Sequence, residues 1–221
     1  MRAGRWFACQ LLLAVLLGGA GPRLVLAGQS LSLVATGPDG RPAPGVVVYL
    51  PDVRTPAIQP PAVIDQRGEA FVPTISVVQA GSDVRFINSD PTSHHVYSFS
   101  RPNAFALPLY KGDDPLVQRF AKPGVVVLGC NIHDSMLGYI VVVDSTRYGV
   151  TGPDGRLTLA DVPSGRHAVH AWAPGLDRGN PPEVGTVEVT DAAPGSLAFR
   201  LTVAGSVPAP KKRSALAGGN Y

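Results

Sequence analysis

Eight residues, GCNIHDSM at 129–136, bring together three side chains that ligate soft metal ions. Cys130 supplies a thiol, His133 an imidazole and Met136 a thioether, at equal spacing along the chain. The 221-residue chain has only two cysteines and two methionines, so this short stretch holds half of each. Three residues so spaced on a tight loop can converge on one point, and the stretch therefore predicts a metal site.

Two adjacent histidines upstream offer a further imidazole. Because side chains alternate faces along a strand, only one of His94 and His95 can face a site beneath them. With Cys130, His133 and Met136 this makes one thiolate, two imidazoles and one thioether. A thiolate and two imidazoles with a weak axial thioether form the type 1 (blue) copper site of electron-transfer proteins. Zinc also binds Cys and His, but its structural sites rarely recruit Met, so the set predicts copper.

The first residues, 1–27, read as a secretory signal peptide. Arg2 and Arg5 precede the apolar run FACQLLLAVLLGGA, and the small-residue motif VLA at 25–27 provides a cleavage site. The apolar run is too short for a membrane anchor, and cleavage after Ala20 is an alternative. We therefore expect a periplasmic protein with no transmembrane segment in its mature chain.

Cleavage changes the charge and the cysteine count. It removes three of the 19 basic residues and leaves 16 against 16 acidic ones, so the basic footprint of a nucleic-acid-binding protein is missing. Cys130 becomes the only thiol and cannot form an internal disulfide. A free thiol in an oxidising compartment is a liability unless it is buried or bound to metal, which again favours a ligand role.

The elements that position these residues read as β-strands. Short Val-rich runs punctuated by Gly and Pro recur after the leader, among them GVVVYL, DVRFIN, GVVVLG and YIVVVD, and helical periodicity is absent. In the middle region, FAKPGVVVLGC is a strand ending at Cys130, NIHDSM is a loop and LGYIVVV is the closing strand. Residues 204–221 are rich in Pro, Ala, Gly and Lys, and we expect a disordered tail there.

The middle region resembles the cupredoxins, and the amicyanin and plastocyanin group in particular. The matching motif is an Asn at a strand end, a ligand His six residues later and C-x2-H-x2-M further on: Asn88, His94, Cys130, His133 and Met136. FVPTISVVQAGSDVRFIN, KPGVVVLGC and MLGYIVVV match the family's strands. The resemblance implies a Greek-key β-sandwich or barrel over 61–145. It also implies one type 1 copper bound by the two histidines, the cysteine and the methionine.

Two positions depart from the family pattern. His95 stands where the family has an Asn that ties the two ligand-bearing segments together, and it could replace that contact or compete for the metal. Asp134 stands where the family has Pro after its second ligand His. A carboxylate beside His133 raises the basicity of that imidazole.

The segments around the middle region resemble a carboxypeptidase-regulatory-like (transthyretin-like) sandwich. TGPDGR occurs at 36–41 and again at 151–156, each time in a context like that fold. We expect β-strands over 28–60 and an Ig-like or transthyretin-like β-sandwich over 146–203. The N-terminal strands either complete that sandwich or extend the middle domain. The whole arrangement also resembles bacterial proteins labelled methylamine utilisation proteins, a label that implies little chemistry.

The resemblance implies a periplasmic carrier of single electrons. Its partner would be a redox protein, whether dehydrogenase, cytochrome or reductase, and the exposed edge of His133 beside Ile132 and Leu137 would be the electron's route. The alternatives are a copper-binding module for storage, sensing or delivery, and a structural sandwich with vestigial ligands. We do not expect an enzyme, because the sequence lacks the His-x-His pairs of multicopper oxidases, the second Cys of a binuclear site and the C-x-x-C-H of haem attachment.

Overall fold

The computed structural model describes residues 28–54, 60–176 and 181–203. The signal peptide predicted for 1–27 and the tail predicted for 204–221 lie outside these ranges. Within them the secondary structure is entirely β, and the search for a helix able to cross a membrane found none. The described part of the chain forms two β-sandwiches, so the predicted fold class is confirmed.

The strands of the described residues are numbered in chain order. They are β1 (Gln29–Thr36), β2 (Val47–Tyr49), β3 (Ala62–Gln66), β4 (Phe71–Val72), β5 (Ile75–Gln79), β6 (Ser82–Asn88), β7 (Tyr97–Ser98), β8 (Phe105–Ala106), β9 (Gly112–Phe120), β10 (Gly124–Gly129), β11 (Leu137–Val143), β12 (Tyr148–Val150), β13 (Arg156–Val162), β14 (Gly165–Trp172), β15 (Glu183–Val189) and β16 (Gly195–Arg200).

Strands β3 to β11 form what we call the middle sandwich. One sheet has the order β4-β3-β6-β9 and the other β5-β11-β10-β7-β8. Each sheet combines antiparallel pairs with one parallel pair, β3 with β6 and β5 with β11. Alternate side chains of the two sheets meet in one apolar core. Its fully buried members include Ile64, Phe71, Val84, Phe86, Val96, Phe120, Val126, Leu128 and Ile140.

Strands β10 and β11 are apolar on both faces. In β11, Ile140 and Val142 point into the core of the middle sandwich, whereas Tyr139, Val141 and Val143 point away from it. The outward side chains are nevertheless buried, because the second sandwich covers them. The run LGYIVVV therefore reads as continuously hydrophobic rather than alternating, as expected of a strand covered on both sides.

The second sandwich, which we call the flanking sandwich, is built from both ends of the described chain. Its sheets have the orders β13-β1-β16 and β12-β2-β14-β15. β1 pairs antiparallel with β13 and parallel with β16, and β2 lies between β12 and β14. Of the two alternatives for the N-terminal strands, the structure thus shows β1 and β2 in the sheets of the C-terminal segment.

The two TGPDGR segments form matching turns in the flanking sandwich. In the first, the Asp39 carboxylate accepts the backbone N–H of Arg41, and Gly40 has a φ of 78°. In the second, Asp154 accepts the N–H of Arg156 and Gly155 has a φ of 72°. The left-handed conformation is one that glycine adopts without the steric cost of a Cβ. The repeat is therefore a repeated turn, as its Asp-Gly chemistry predicts.

A separate apolar cluster joins the two sandwiches. Trp172 of β14 is buried and its ring lies 5.3 Å from that of Tyr139 on β11. Val47 of β2 and Ile75 of β5 belong to the same cluster, and the Tyr148 hydroxyl hydrogen-bonds to the backbone of Gln79. The sheet that carries the ligand-bearing strand β10 is thus packed on both faces.

We expect Trp172→Ala to lower the free energy of unfolding by about 3–5 kcal/mol, the usual cost of removing a fully buried large aromatic side chain. Equilibrium denaturation in urea measures the change. Trp172→Phe is the matched variant and should lose less, because it retains much of the apolar area. A loss of no more than about 0.5 kcal/mol for Trp172→Ala, the usual range of surface changes, would contradict an energetic role for this cluster.

Candidate metal centre

The predicted ligands come from two separate loops at one end of the middle sandwich. His94 follows β6 and is tied to Tyr110 by a pair of backbone hydrogen bonds of 3.0 and 3.1 Å. Cys130 comes directly after β10, and His133 and Met136 lie in the short loop that leads to β11. The Met136 N–H donates to the His133 carbonyl at 3.0 Å, which tightens this loop.

Three of the four predicted ligands converge. Donor atoms of His94, Cys130 and His133 all lie within 4.8 Å of one another. The Cys130 Sγ is 3.9 Å from His94 Nδ1, and the two imidazole rings are 4.9 Å apart. Met136 is buried in the same core cluster as Cys130. Metal binding by these residues stays a prediction, but their placement has the spacing that a small ion needs.

Because the centre is buried, a ligand atom without a hydrogen-bond partner there costs free energy. His94 is fully buried and Cys130 is 3% exposed. The Nδ1 of His133 is also buried and has no hydrogen-bond partner among the described residues. An unpartnered polar atom inside a protein costs free energy, because it has lost its water and gained nothing in return. A metal ion bound to this atom would remove that cost, and the thiol and second imidazole beside it suit copper.

Asp90 orients the first imidazole. Its carboxylate lies 2.8 Å from His94 Nε2, so Nε2 carries the proton and Nδ1 presents its lone pair toward Cys130. Burial raises the pKa of the Asp90 carboxyl, but the N–H groups of Glu69 and Gly68 and the His94 ring outweigh it, so its pKa lies below the usual value. The carboxylate is therefore the form that the folded protein stabilises.

Asn88 closes the loop that carries Asp90 and His94. Its side-chain amide donates to the carbonyls of Thr92 and Tyr110 at 2.9 and 3.0 Å, and its oxygen accepts the N–H of Asp90 at 3.0 Å. The side chain is buried at the end of β6. This strand-end Asn thus contributes by holding the loop in shape.

The backbone of His95, rather than its ring, contacts the centre. Its N–H lies 3.5 Å from the Cys130 sulfur and donates to it. The ring packs against Tyr97 at a tilt of 36°, with centroids 5.8 Å apart, and is not in the convergent group of donor atoms found among the described residues. The link between the two ligand-bearing loops is therefore made by the main chain of this residue.

The carboxylate beside His133 is one that sequence reasoning missed. Glu69, in the turn between β3 and β4, places its Oε1 at 3.5 Å from His133 Nε2. The sequence alone indicates Asp134, which is exposed and lines a surface groove. Glu69 belongs to a distant segment and has no motif spacing to the ligands, so only the three-dimensional structure reveals the contact.

The surroundings of His133 differ from the expected exposed edge. Its side chain is 14% exposed, whereas Ile132 and Leu137 are 53% and 37% exposed. A groove of about 530 Å³ is lined in part by Cys130 and Met136. Both sides of the centre are therefore largely closed to solvent, since Cys130 is only 3% exposed.

Comparisons with solved structures return copper proteins and cupredoxins. A copper-containing nitrite reductase from Thermus scotoductus SA-01 is 27% identical over 42% of this chain, with a TM-score of 0.36, and the match spans only 25% of the reductase. A purple cupredoxin from Nitrosopumilus maritimus is 20% identical over 37% of this chain and 98% of its own, with a TM-score of 0.34.

A mutant of amicyanin in its reduced form is 20% identical over 43% of this chain and 97% of its own, with a TM-score of 0.36. No protein-family model matches the chain, and no curated protein matches it. Since these TM-scores are low, the chemistry of the centre is inferred from its own side chains.

We expect Asp90→Asn to weaken copper binding by about 10- to 100-fold, the usual effect of losing the partner of a ligating imidazole. The amide retains an oxygen but loses the charge that holds the Nε2 proton in place. Competition with a chelator measures the affinity. Asp154→Asn is the matched control, because that exposed carboxylate also accepts a backbone N–H but lies in the flanking sandwich. Equal affinities in the two variants would contradict the role of Asp90.

Proposed function

We propose that this chain is a periplasmic electron carrier of the cupredoxin type that holds one type 1 copper. The observation that carries the proposal is the convergence of His94, Cys130 and His133 within 4.8 Å at the end of a β-sandwich. The buried thioether of Met136 lies in the same core cluster and completes the donor set predicted from the sequence.

The donor set suits an ion that must exist in two oxidation states. Bound copper would supply one-electron chemistry, because Cu(II) gains an electron to become Cu(I) and loses it again. Thiolate and thioether sulfur suit Cu(I), and imidazole nitrogen suits copper in general. A mixed set of this kind has no strong preference for one state, which is what a carrier needs.

The protein's own contribution is rigidity. His94 is fully buried and fixed by Asp90, and the Cys130 sulfur accepts the N–H of His95. Cys130 also directly follows β10, a strand that is covered on both faces. Donor atoms held in this way cannot move far when the charge of the site changes, so electron transfer requires little rearrangement.

The partner is proposed as a redox protein, with a dehydrogenase, a cytochrome and a reductase as the candidates. Export to the periplasm is supported by the signal-peptide pattern of residues 1–27. The resemblance to methylamine utilisation proteins names no partner. The flanking sandwich has no identified ligand, and we assign it a supporting role through its contact with β10 and β11.

A second candidate, copper storage, sensing or delivery without redox turnover, is favoured by one observation. The Glu69 carboxylate lies at the outer nitrogen of His133, and this imidazole is only 14% exposed. The imidazole edge is therefore less accessible to a redox partner than the sequence resemblance implied. The two candidates differ in whether the bound copper cycles reversibly.

We expect an intense blue absorption band at one equivalent of Cu(II), because a Cys thiolate transfers charge to bound copper. Visible spectroscopy during a copper titration measures it. Cys130→Ser should abolish the band while leaving the fold intact, as circular dichroism can verify. A colourless protein, or a weak spectrum that survives Cys130→Ser, would exclude the type 1 site.

We expect copper to be reduced and reoxidised reversibly, because the donors are held in place in both states. Protein-film voltammetry measures the midpoint potential. Met136→Leu conserves core volume, with a stability loss below about 1.5 kcal/mol, and should shift the potential while retaining the blue band. Irreversible cycling with ready loss of copper to a chelator would instead support the storage and delivery function.

A further inference from the structure

The turn between β3 and β4 has an unusual residue at its second central position. The Arg67 N–H donates to the Ala70 carbonyl at 3.0 Å, and the two residues between them, Gly68 and Glu69, have φ values of 64° and 56°. Two positive φ values define a type I′ turn, whose central residues are usually Asn and Gly. A glutamate is strained in this conformation, since its Cβ crowds the following carbonyl.

Strain of this kind persists where the surrounding structure or the function requires the residue. The Glu69 side chain is exposed, so burial does not explain its presence. Its Oε1 lies 3.5 Å from His133 Nε2, which is an electrostatic contact rather than a hydrogen bond. The other ring nitrogen of His133 is the buried Nδ1 without a partner among the described residues. The Nε2 of this imidazole thus contacts a carboxylate, and its Nδ1 is left available to a metal ion.

The same turn also reaches the other imidazole. The backbone N–H groups of Gly68 and Glu69 donate to the Asp90 carboxylate at 2.6 and 3.0 Å, and that carboxylate holds His94 Nε2 at 2.8 Å. The turn belongs to the sheet β4-β3-β6-β9, whereas Cys130 and His133 follow the opposite sheet. One two-residue turn therefore contacts His133 directly and reaches His94 through Asp90.

We propose that Glu69 is a positioning residue for His133. Its carboxylate keeps the ring proton on Nε2 and so presents the Nδ1 lone pair to the ion, while its backbone holds Asp90 and thereby His94. This inference rests on the proposed copper function. It assigns to the turn the orientation of both histidine rings, one of which, His133, lies in the loop that carries Cys130 and Met136.

The carboxylate also biases the oxidation state. A negative group at the outer nitrogen raises the donor strength of an imidazole, and a stronger donor favours the more highly charged ion. Glu69 should therefore stabilise Cu(II) more than Cu(I) and lower the reduction potential.

Three variants of this residue separate the possible contributions. Glu69→Gln retains an oxygen but not the charge, Glu69→Ala removes the carboxylate and keeps the strained backbone, and Glu69→Gly removes both carboxylate and strain. We expect Cu(II) affinity to fall about 10- to 100-fold in Glu69→Ala and Glu69→Gly, and less in Glu69→Gln. A tenfold loss for Cu(II) alone corresponds to a rise of about 59 mV in the potential. Glu188→Gln, at an exposed position on β15 of the flanking sandwich, is the control and should change neither quantity.

Glu69→Gly distinguishes positioning from structural support. Relief of the strained backbone should raise the melting temperature of the metal-free protein, while the loss of the carboxylate lowers its Cu(II) affinity. A residue with a merely structural role would move both quantities in the same direction. Unchanged affinity and potential in all three variants would overturn the proposal.

Nitrogen-15 NMR of the metal-free protein keeps this test independent of the copper function. The wild-type His133 ring should carry its proton on Nε2, and Glu69→Ala should give a mixture of the two neutral tautomers. A wild-type protein without a blue band but with this tautomer change would reject the copper site and retain the positioning role. An identical tautomer in both proteins would reject the role of Glu69 itself.

Discussion

The centre depends on one constraint: buried polar atoms need partners, and the Nδ1 of His133 is one of the buried atoms that lack a partner in the described structure. His94 uses Nε2 on Asp90 and turns Nδ1 toward the thiol. His133 has Glu69 at Nε2 and leaves Nδ1 without a partner in the described structure. Because the outer nitrogens are held, the inner ones cannot rotate away to find water. The surrounding carboxylates thus create the unmet hydrogen-bonding demand that an ion would satisfy.

Rigidity of the centre comes from packing as much as from hydrogen bonds. Cys130 directly follows strand β10, whose neighbour β11 has one face in the core of the middle sandwich and the other against Trp172. In an open antiparallel sheet one face would be solvated and the strand could flex. The flanking sandwich removes that freedom, which gives it a physical role even though no ligand has been identified for it.

Much of the fold and part of the centre could be predicted from local pattern. Val-rich runs and Asp-Gly turns indicated an all-β chain, and C-x2-H-x2-M lies on one short loop, so spacing alone brought Cys130 and His133 together. His94 lies on another segment and required the family resemblance. Glu69 escaped prediction because it reaches the site through the pairing of β3 with β6, and such long-range pairing leaves no periodic signal in the sequence. For the same reason the sequence does not decide which sandwich contains β1 and β2, whereas their strand pairing does.

The discontinuous flanking sandwich also has a consequence for the order of folding. β1 pairs with β16, and Leu31 aligns with Gly195. The pairing of β1 with β16 therefore cannot form until nearly all of the described chain has been synthesised. The middle sandwich is complete once β11 has been synthesised. Its paired strands are closer together in sequence than β1 and β16 are. Because distant pairings form slowly, the middle sandwich should form first and serve as the template on which the flanking sandwich closes. Until then β1 and β2 have unpaired edges, and this is the interval in which the newly made chain depends most on protection from aggregation.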